Sequence, residues 1–171
     1  FLRDTLKFPT SYDREATFRQ LEETDWITNS EYGTRITGYD LQAACQSWLM
    51  STGNERFSIA EVFVMRGWKG VGEADVFLSH VQAQPFEETL TKAGVKREEH
   101  VWLDYFILRQ CQDDFDAQQI HDTITHISST VALEDEESTY LKRSFCMLEV
   151  ASTPDGSLRF PLNTDRSRDA C

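Results

Sequence analysis

Between Glu73 and Phe160 the chain alternates short apolar runs with stretches of helical period, and that alternation restricts the fold more than any other feature. Ala74–Ser79, His100–Ile107 and Ser129–Leu133 each read as a strand, and Leu158–Phe160 as a possible last one. The stretches between them are amphipathic. Pro85 opens a helix with Phe86, Leu90 and Ala93, and Gly94 ends it. Asp116 caps a second, whose apolar stripe is Ile120, Ile124 and Ile127. Tyr140 to Ala151 forms a third, with Leu141, Phe145 and Leu148 expected on its buried side. Strands joined by crossover helices pair in parallel and carry helices on both faces. The expected fold is therefore α/β, a short parallel sheet flanked by helices.

A small helical region precedes this unit. Thr37 caps a helix carrying Leu41, Ala44, Cys45, Trp48 and Leu49, with Asp40 as a short-armed partner in an imperfect capping box. Ser58 and Glu61 form a full capping box at the head of another, with Ile59, Val62 and Phe63. Gly67, Gly70 and Gly72 mark a boundary at about residue 72. The expected organisation is an extended arm over 1–36, with a short helix at Arg14–Glu23, an accessory helical region over 37–72, the α/β unit over 73–163, and a flexible tail over 164–171.

The formal charge of −12 argues against nucleic acid and anionic membranes as partners, because the basic runs Lys96-Arg97 and Lys142-Arg143 are too short to form a patch. No apolar run approaches a membrane span. Cys45, Cys111, Cys146 and Cys171 lack metal-ligand spacing, and the sequence does not indicate a disulfide among them. The composition fits a soluble intracellular compartment, the cytoplasm or an organelle such as the chloroplast stroma. Phe1 at the start fits a processed chain or part of a longer one.

Ligands of open parallel sheets bind beyond the carboxyl ends of the strands. That rule selects Ser79 and His80 after the first strand, Asp104 at the second, and Glu134 and Asp135 after the third, while Glu149 lies on the helix that follows. Lys142, Cys146 and Glu149 share a face on a continuous helix. Each has a plain structural alternative. His80 reads as a strand-end hydrogen-bonding residue, Asp104 as a loop carboxylate, Cys146 as core, and Glu149 as a solvated residue paired with Lys142. The acidic run Glu134–Glu137 reads as a solvated loop. His100, His121 and His126 do not make a metal site, and the chain holds no phosphate-binding glycine loop or hydrolase motif.

Three segments carry a resemblance. Ala74-Asp75-Val76-Phe77-Leu78-Ser79-His80 resembles the opening strand of Toll/interleukin-1 receptor (TIR) domains. Val101-Trp102-Leu103-Asp104 is similar to their second strand, and Ser144-Phe145-Cys146-Met147-Leu148-Glu149-Val150 to their third-helix motif. The form with "FLSH", "VWLDYF" followed by Arg109-Gln110, and "YLKRSFCMLEV" is closest to divergent TIR-like proteins of algae and other microbial eukaryotes. The resemblance covers roughly Glu73 to Phe160. It implies a TIR/flavodoxin-like fold, truncated because little chain follows Phe160, with Phe145 where the family usually has Trp.

TIR domains serve as assembly adaptors or hydrolyse NAD at the nicotinamide–ribose bond. The resemblance thus implies first a protein–protein interaction or assembly module with a degenerate TIR-like fold. Such a module has a protein partner or multisubunit assembly, with the N-terminal arm as a candidate contact, and no cofactor. The alternative is an NAD glycohydrolase, with NAD as substrate, Glu149 as the catalytic carboxylate, and His80, Phe77, Asp104 and Phe145 as the binding residues. Sensing of a nucleotide or metabolite without turnover is a third reading.

Overall fold

The structure, a computed structural model, describes residues 37–67, 70–96, 98–113, 115–135 and 139–161. The arm over 1–36 with its Arg14–Glu23 helix, the tail over 164–171, Cys171, Arg97, Glu136 and Glu137 lie outside the described residues.

Among the described residues two helices come first, α1 (Gly38–Ser51) and α2 (Ile59–Met65). Then come β1 (Val76–Ser79), α3 (Phe86–Ala93), β2 (Val101–Trp102), α4 (Asp104–Ile107), α5 (Ala117–Ile127) and β3 (Thr130–Ala132). A 3₁₀ turn (Tyr140–Lys142), α6 (Ser144–Ser152) and β4 (Leu158–Arg159) complete the order. The four strands pair in parallel in the order β2-β1-β3-β4. The fold is an α/β domain with a short parallel sheet flanked by helices and preceded by a helical region.

Strand periodicity divides the core. Val76 and Leu78 of β1 pack with Val131, Leu133, Ala93, Leu103 and Tyr105 on one face. Phe77 points to the other, where it stacks on Trp102 at 4.4 Å and meets Ile120 and Ile124 of α5. Val81, Ala132, Tyr140 and Cys146 form the core under α6. Cys45, Trp48, Leu49, Ile59, Val62 and Phe63 make a further cluster between α1 and α2. Phe106 packs against both this cluster and the sheet's own core.

The local signals act as expected at most helix ends. Asp116 Oδ1 accepts from the N–H groups of Gln118 and Gln119 at 2.8 and 3.2 Å. Gly94 terminates α3 in the left-handed conformation at φ 59°. The α1 capping box is complete, since Asp40 Oδ2 receives the Thr37 N–H at 2.8 Å. The shorter carboxylate suffices there.

Two expectations are corrected. The second strand does not run to Ile107. It ends at Trp102, and the chain turns into α4, where Asp104 Oδ1 accepts from Tyr105 N at 2.8 Å and Leu103 O accepts from Ile107 N at 3.0 Å. An edge strand pairs on one side only, so these local bonds compete well with a longer ladder. The helix from Tyr140 is also not continuous. Arg143 is extended at φ −93° and ψ 121° and separates the 3₁₀ turn from α6. That break rotates Leu141 and Phe145 outward, to 54 % and 50 % exposure, and leaves Cys146 as the buried residue of the helix's first turn.

Candidate functional site

A cleft of about 350 Å³ opens beyond the carboxyl ends of β1 and β2, against α6. His80, Asp104, Phe145, Cys146 and Glu149 all line it. The strand-end candidates Ser79, Glu134 and Asp135 do not line it, and neither does Phe77. Phe77 is fully buried under Trp102, because in β1 it faces α5 rather than the strand end. Its role is to pack the core beneath the site.

Glu149 is held from below. Ser79 Oγ donates a short hydrogen bond to Glu149 Oε2. Tyr140 Oη lies 2.5 Å from Ser79 Oγ, so with Ser79 donating onward the phenol supplies the proton to the serine oxygen. Tyr140 is itself placed by Asp135, whose Oδ1 accepts from Tyr140 N at 2.9 Å and whose Oδ2 accepts from Thr139 Oγ1. The expected pairing with Lys142 does not occur, for Lys142 is exposed on the 3₁₀ turn. Burial pushes the Glu149 carboxyl up to about 7, and the Asp104 charge adds to this, while the Ser79 bond and the Arg143 cation oppose it. Glu149 is thus poised to change charge near neutrality.

His80 is 8 % exposed. Burial pulls its pKa down, with the Asp104 carboxylate acting in the other direction. Its Nδ1 lies 3.3 Å from the Leu78 carbonyl, which can only accept. The neutral ring therefore carries its proton on Nδ1 and presents a lone pair at Nε2. That Nε2 is buried and has no hydrogen-bond partner. Cys146 donates through Sγ to the His80 carbonyl at 3.8 Å, and burial raises its thiol to about 11. A protonated thiol makes Cys146 a packing group, not a nucleophile.

Asp104 is fixed by amides. Gln82 Nε2 donates to its Oδ2, and Gln110 Nε2 donates to its backbone carbonyl at 2.9 Å. Gln42, on α1, donates in turn to Gln110 Oε1 at 2.8 Å. Gln42, Gln82 and Gln110 all line the cleft, so the helical region that precedes the sheet contributes to its wall. Phe145 meets Phe115 edge-on at 4.7 Å and forms an aromatic lip.

Sequence reasoning missed the glutamines, Arg143 and the part played by Tyr140. On a continuous helix Tyr140 and Glu149 would face opposite ways, since nine residues turn through about 900°. Only the break at Arg143 brings them together. Glutamines carry no pattern signal of their own.

No described helix is long and apolar enough to cross a membrane. Among the described residues no group of three or more His, Cys, Asp or Glu side chains could hold a metal ion, and Cys45, Cys111 and Cys146 are free. Set against protein-family models, curated proteins and solved structures, the chain matches none.

Proposed function

We propose that this is a TIR-like domain whose cleft hydrolyses the nicotinamide–ribose bond of NAD, with Glu149 as the catalytic carboxylate. The observation that carries this reading is Glu149 itself, desolvated on Ser79 at a cleft shared with His80 and Asp104. The β2-β1-β3-β4 order supports the doubly wound, flavodoxin-like comparison. In the reaction the C1′–N bond breaks and its electron pair passes to the pyridinium nitrogen, releasing neutral nicotinamide. Positive charge develops at C1′ and the ring oxygen, where an ionised Glu149 stabilises it. Water adds to C1′ and loses its proton to solvent, giving ADP-ribose. Phe145 and Phe115 offer π-faces to the cationic ring before it leaves.

The test is nicotinamide release by the purified chain over a range of protein concentration, beside Glu149→Gln. Release that the substitution abolishes supports the reading. Absence of release at every concentration, with a partner complex supplied as well, sinks it.

A second reading, an assembly module acting through protein contacts, is favoured by one observation. Leu141, Phe145 and Met147 are exposed along the 3₁₀ turn and α6, with Phe115 beside them. Sedimentation of the chain alone and of Met147→Asp measures it. Concentration-dependent association lost in the variant supports assembly through this face.

A further inference from the structure

Arg143 occupies the break between the 3₁₀ turn and α6, and its side chain lines the cleft with Cys146 and Glu149. Its charge lowers the pKa of Glu149, Cys146 and His80 alike, so it is felt across the site. Yet among the described residues its guanidinium makes no ion pair and no hydrogen bond. Arg109, the other arginine on the cleft, behaves differently. Its Nη2 and Nε donate to the two oxygens of Glu61 at 2.7 and 3.1 Å. A chain with a formal charge of −12 has carboxylates to spare, and three of them, Asp104, Asp113 and Glu149, line this cleft. A guanidinium left without an anion in that setting is suited to one that arrives with a ligand. The nine-residue α6 begins beside it with no side-chain cap on its first turn.

The floor of the cleft asks for a different group. His80 Nε2 is a buried acceptor without a donor, and the carboxylates of Glu149 and Asp104 line the same cleft. Hydroxyl donors meet that need, and a ribose supplies them. Acceptors on the floor and a lone guanidinium beside them match a sugar that carries an acid. Resting on the glycohydrolase reading above, we propose that the cleft selects phosphorylated ribosides, with Arg143 binding the phosphate. Arg143 is then a specificity-determining residue that separates nucleotides from the uncharged nucleoside.

The full chain is assayed for nicotinamide release from NAD, nicotinamide mononucleotide and nicotinamide riboside, which carry a diphosphate, a monophosphate and no phosphate. Expected is a kcat/KM for one or both phosphorylated substrates about tenfold or more above that for the riboside, since charge-assisted bonds are the strong ones. Whether NAD or the mononucleotide leads tells diphosphate from monophosphate recognition. Arg143→Met brings the ratio toward unity through KM, and Arg143→Lys restores part of it. A ratio unchanged in a folded Arg143→Met, judged by thermal unfolding, overturns the inference. If no substrate turns over, the glycohydrolase reading fails alone and binding decides this one. Calorimetry with ribose 5-phosphate and with ribose then shows phosphate-dependent binding lost in Arg143→Met, or overturns the proposal by showing none.

Discussion

Ser79 and Glu149 are joined by one short hydrogen bond although 70 residues separate them in the chain. Ser79 is fully buried at the end of β1, on the strand face that α6 covers. The bond therefore fixes a helix carboxylate against the sheet at the mouth of the strands. Tyr140 backs the same serine from the 3₁₀ turn. The charge state of Glu149 is set first by burial, with the Ser79 bond and the Arg143 cation favouring the carboxylate and the Asp104 charge opposing it.

Ser79→Ala removes the strongest group that favours the Glu149 carboxylate, so its pKa rises above about 7. If the ionised form is the active one, nicotinamide release falls on the acid side. The midpoint of that limb lies near 7 in the parent and moves upward in Ser79→Ala, with an activity loss of roughly tenfold at neutrality. A pH–rate profile of the two proteins is the measurement. Tyr140→Phe moves the limb the same way by less. Identical profiles would mean that Glu149 does not govern the rate.

The same burial makes Glu149 a stability switch. Its carboxyl is raised from 4.5 to about 7 in the folded chain, so the native state holds its proton where the unfolded state releases it. The resulting stabilisation is full below about pH 4.5 and is lost as pH rises through about 7, up to roughly 3 kcal/mol at ~1.4 kcal/mol per unit. Glu149→Gln cannot ionise and lacks this loss. Urea unfolding of both proteins at about pH 5 and about pH 8 checks it, since other groups cancel in the comparison. Parallel pH dependences would refute the assignment.

Phe77→Ala tests the division between core and site. Phe77 is fully buried and stacked on Trp102, so the substitution costs about 3–5 kcal/mol. Phe145→Ala, at a half-exposed position, changes stability by about 0.5 kcal/mol or less. It raises KM for NAD instead. Urea midpoints and initial rates separate the two effects, and a Phe145 variant as unstable as the Phe77 one would place both in the core.

Much of this architecture was legible because it rests on short-range signals. The caps at Ser58 and Asp116, the glycine stop at Gly94 and the apolar runs at β1 and β3 each act within a few residues. The rule for strand ends points to His80 and Asp104 but equally to Glu134 and Asp135, which do not line the cleft, and Glu149 is singled out by the resemblance of its helix motif alone. The misreadings have a common cause. Both Asp104 and Arg143 sit in stretches whose apolar content suits a longer element, and at each a local choice of backbone ends it. Periodicity cannot register such a break, so it puts Leu141 and Phe145 on the buried side of one continuous helix. The glutamine chain from α1 to Asp104 depends on tertiary packing, which local sequence does not encode.

That chain gives the last prediction. The start of α1 is docked on the loop after β1. Thr37 pairs with Pro85 in an antiparallel bridge, and Tyr39 N donates to Gln82 O at 3.2 Å. A Cβ at Gly38 would meet that same Gln82 oxygen at 2.9 Å, so Gly38→Ala pushes the backbone of Gln82 away. Gln82 holds Asp104 through its side chain, and the displacement loosens the carboxylate. Gly38→Ala should cost about 1–3 kcal/mol in urea unfolding. It should also weaken NAD turnover several-fold, matching Gln82→Ala, which cuts the Asp104 bond without pressing on the backbone. A loss of stability in Gly38→Ala with NAD turnover unchanged would make α1 a support for the fold alone. Matching turnover losses in the two variants would make it part of the cleft.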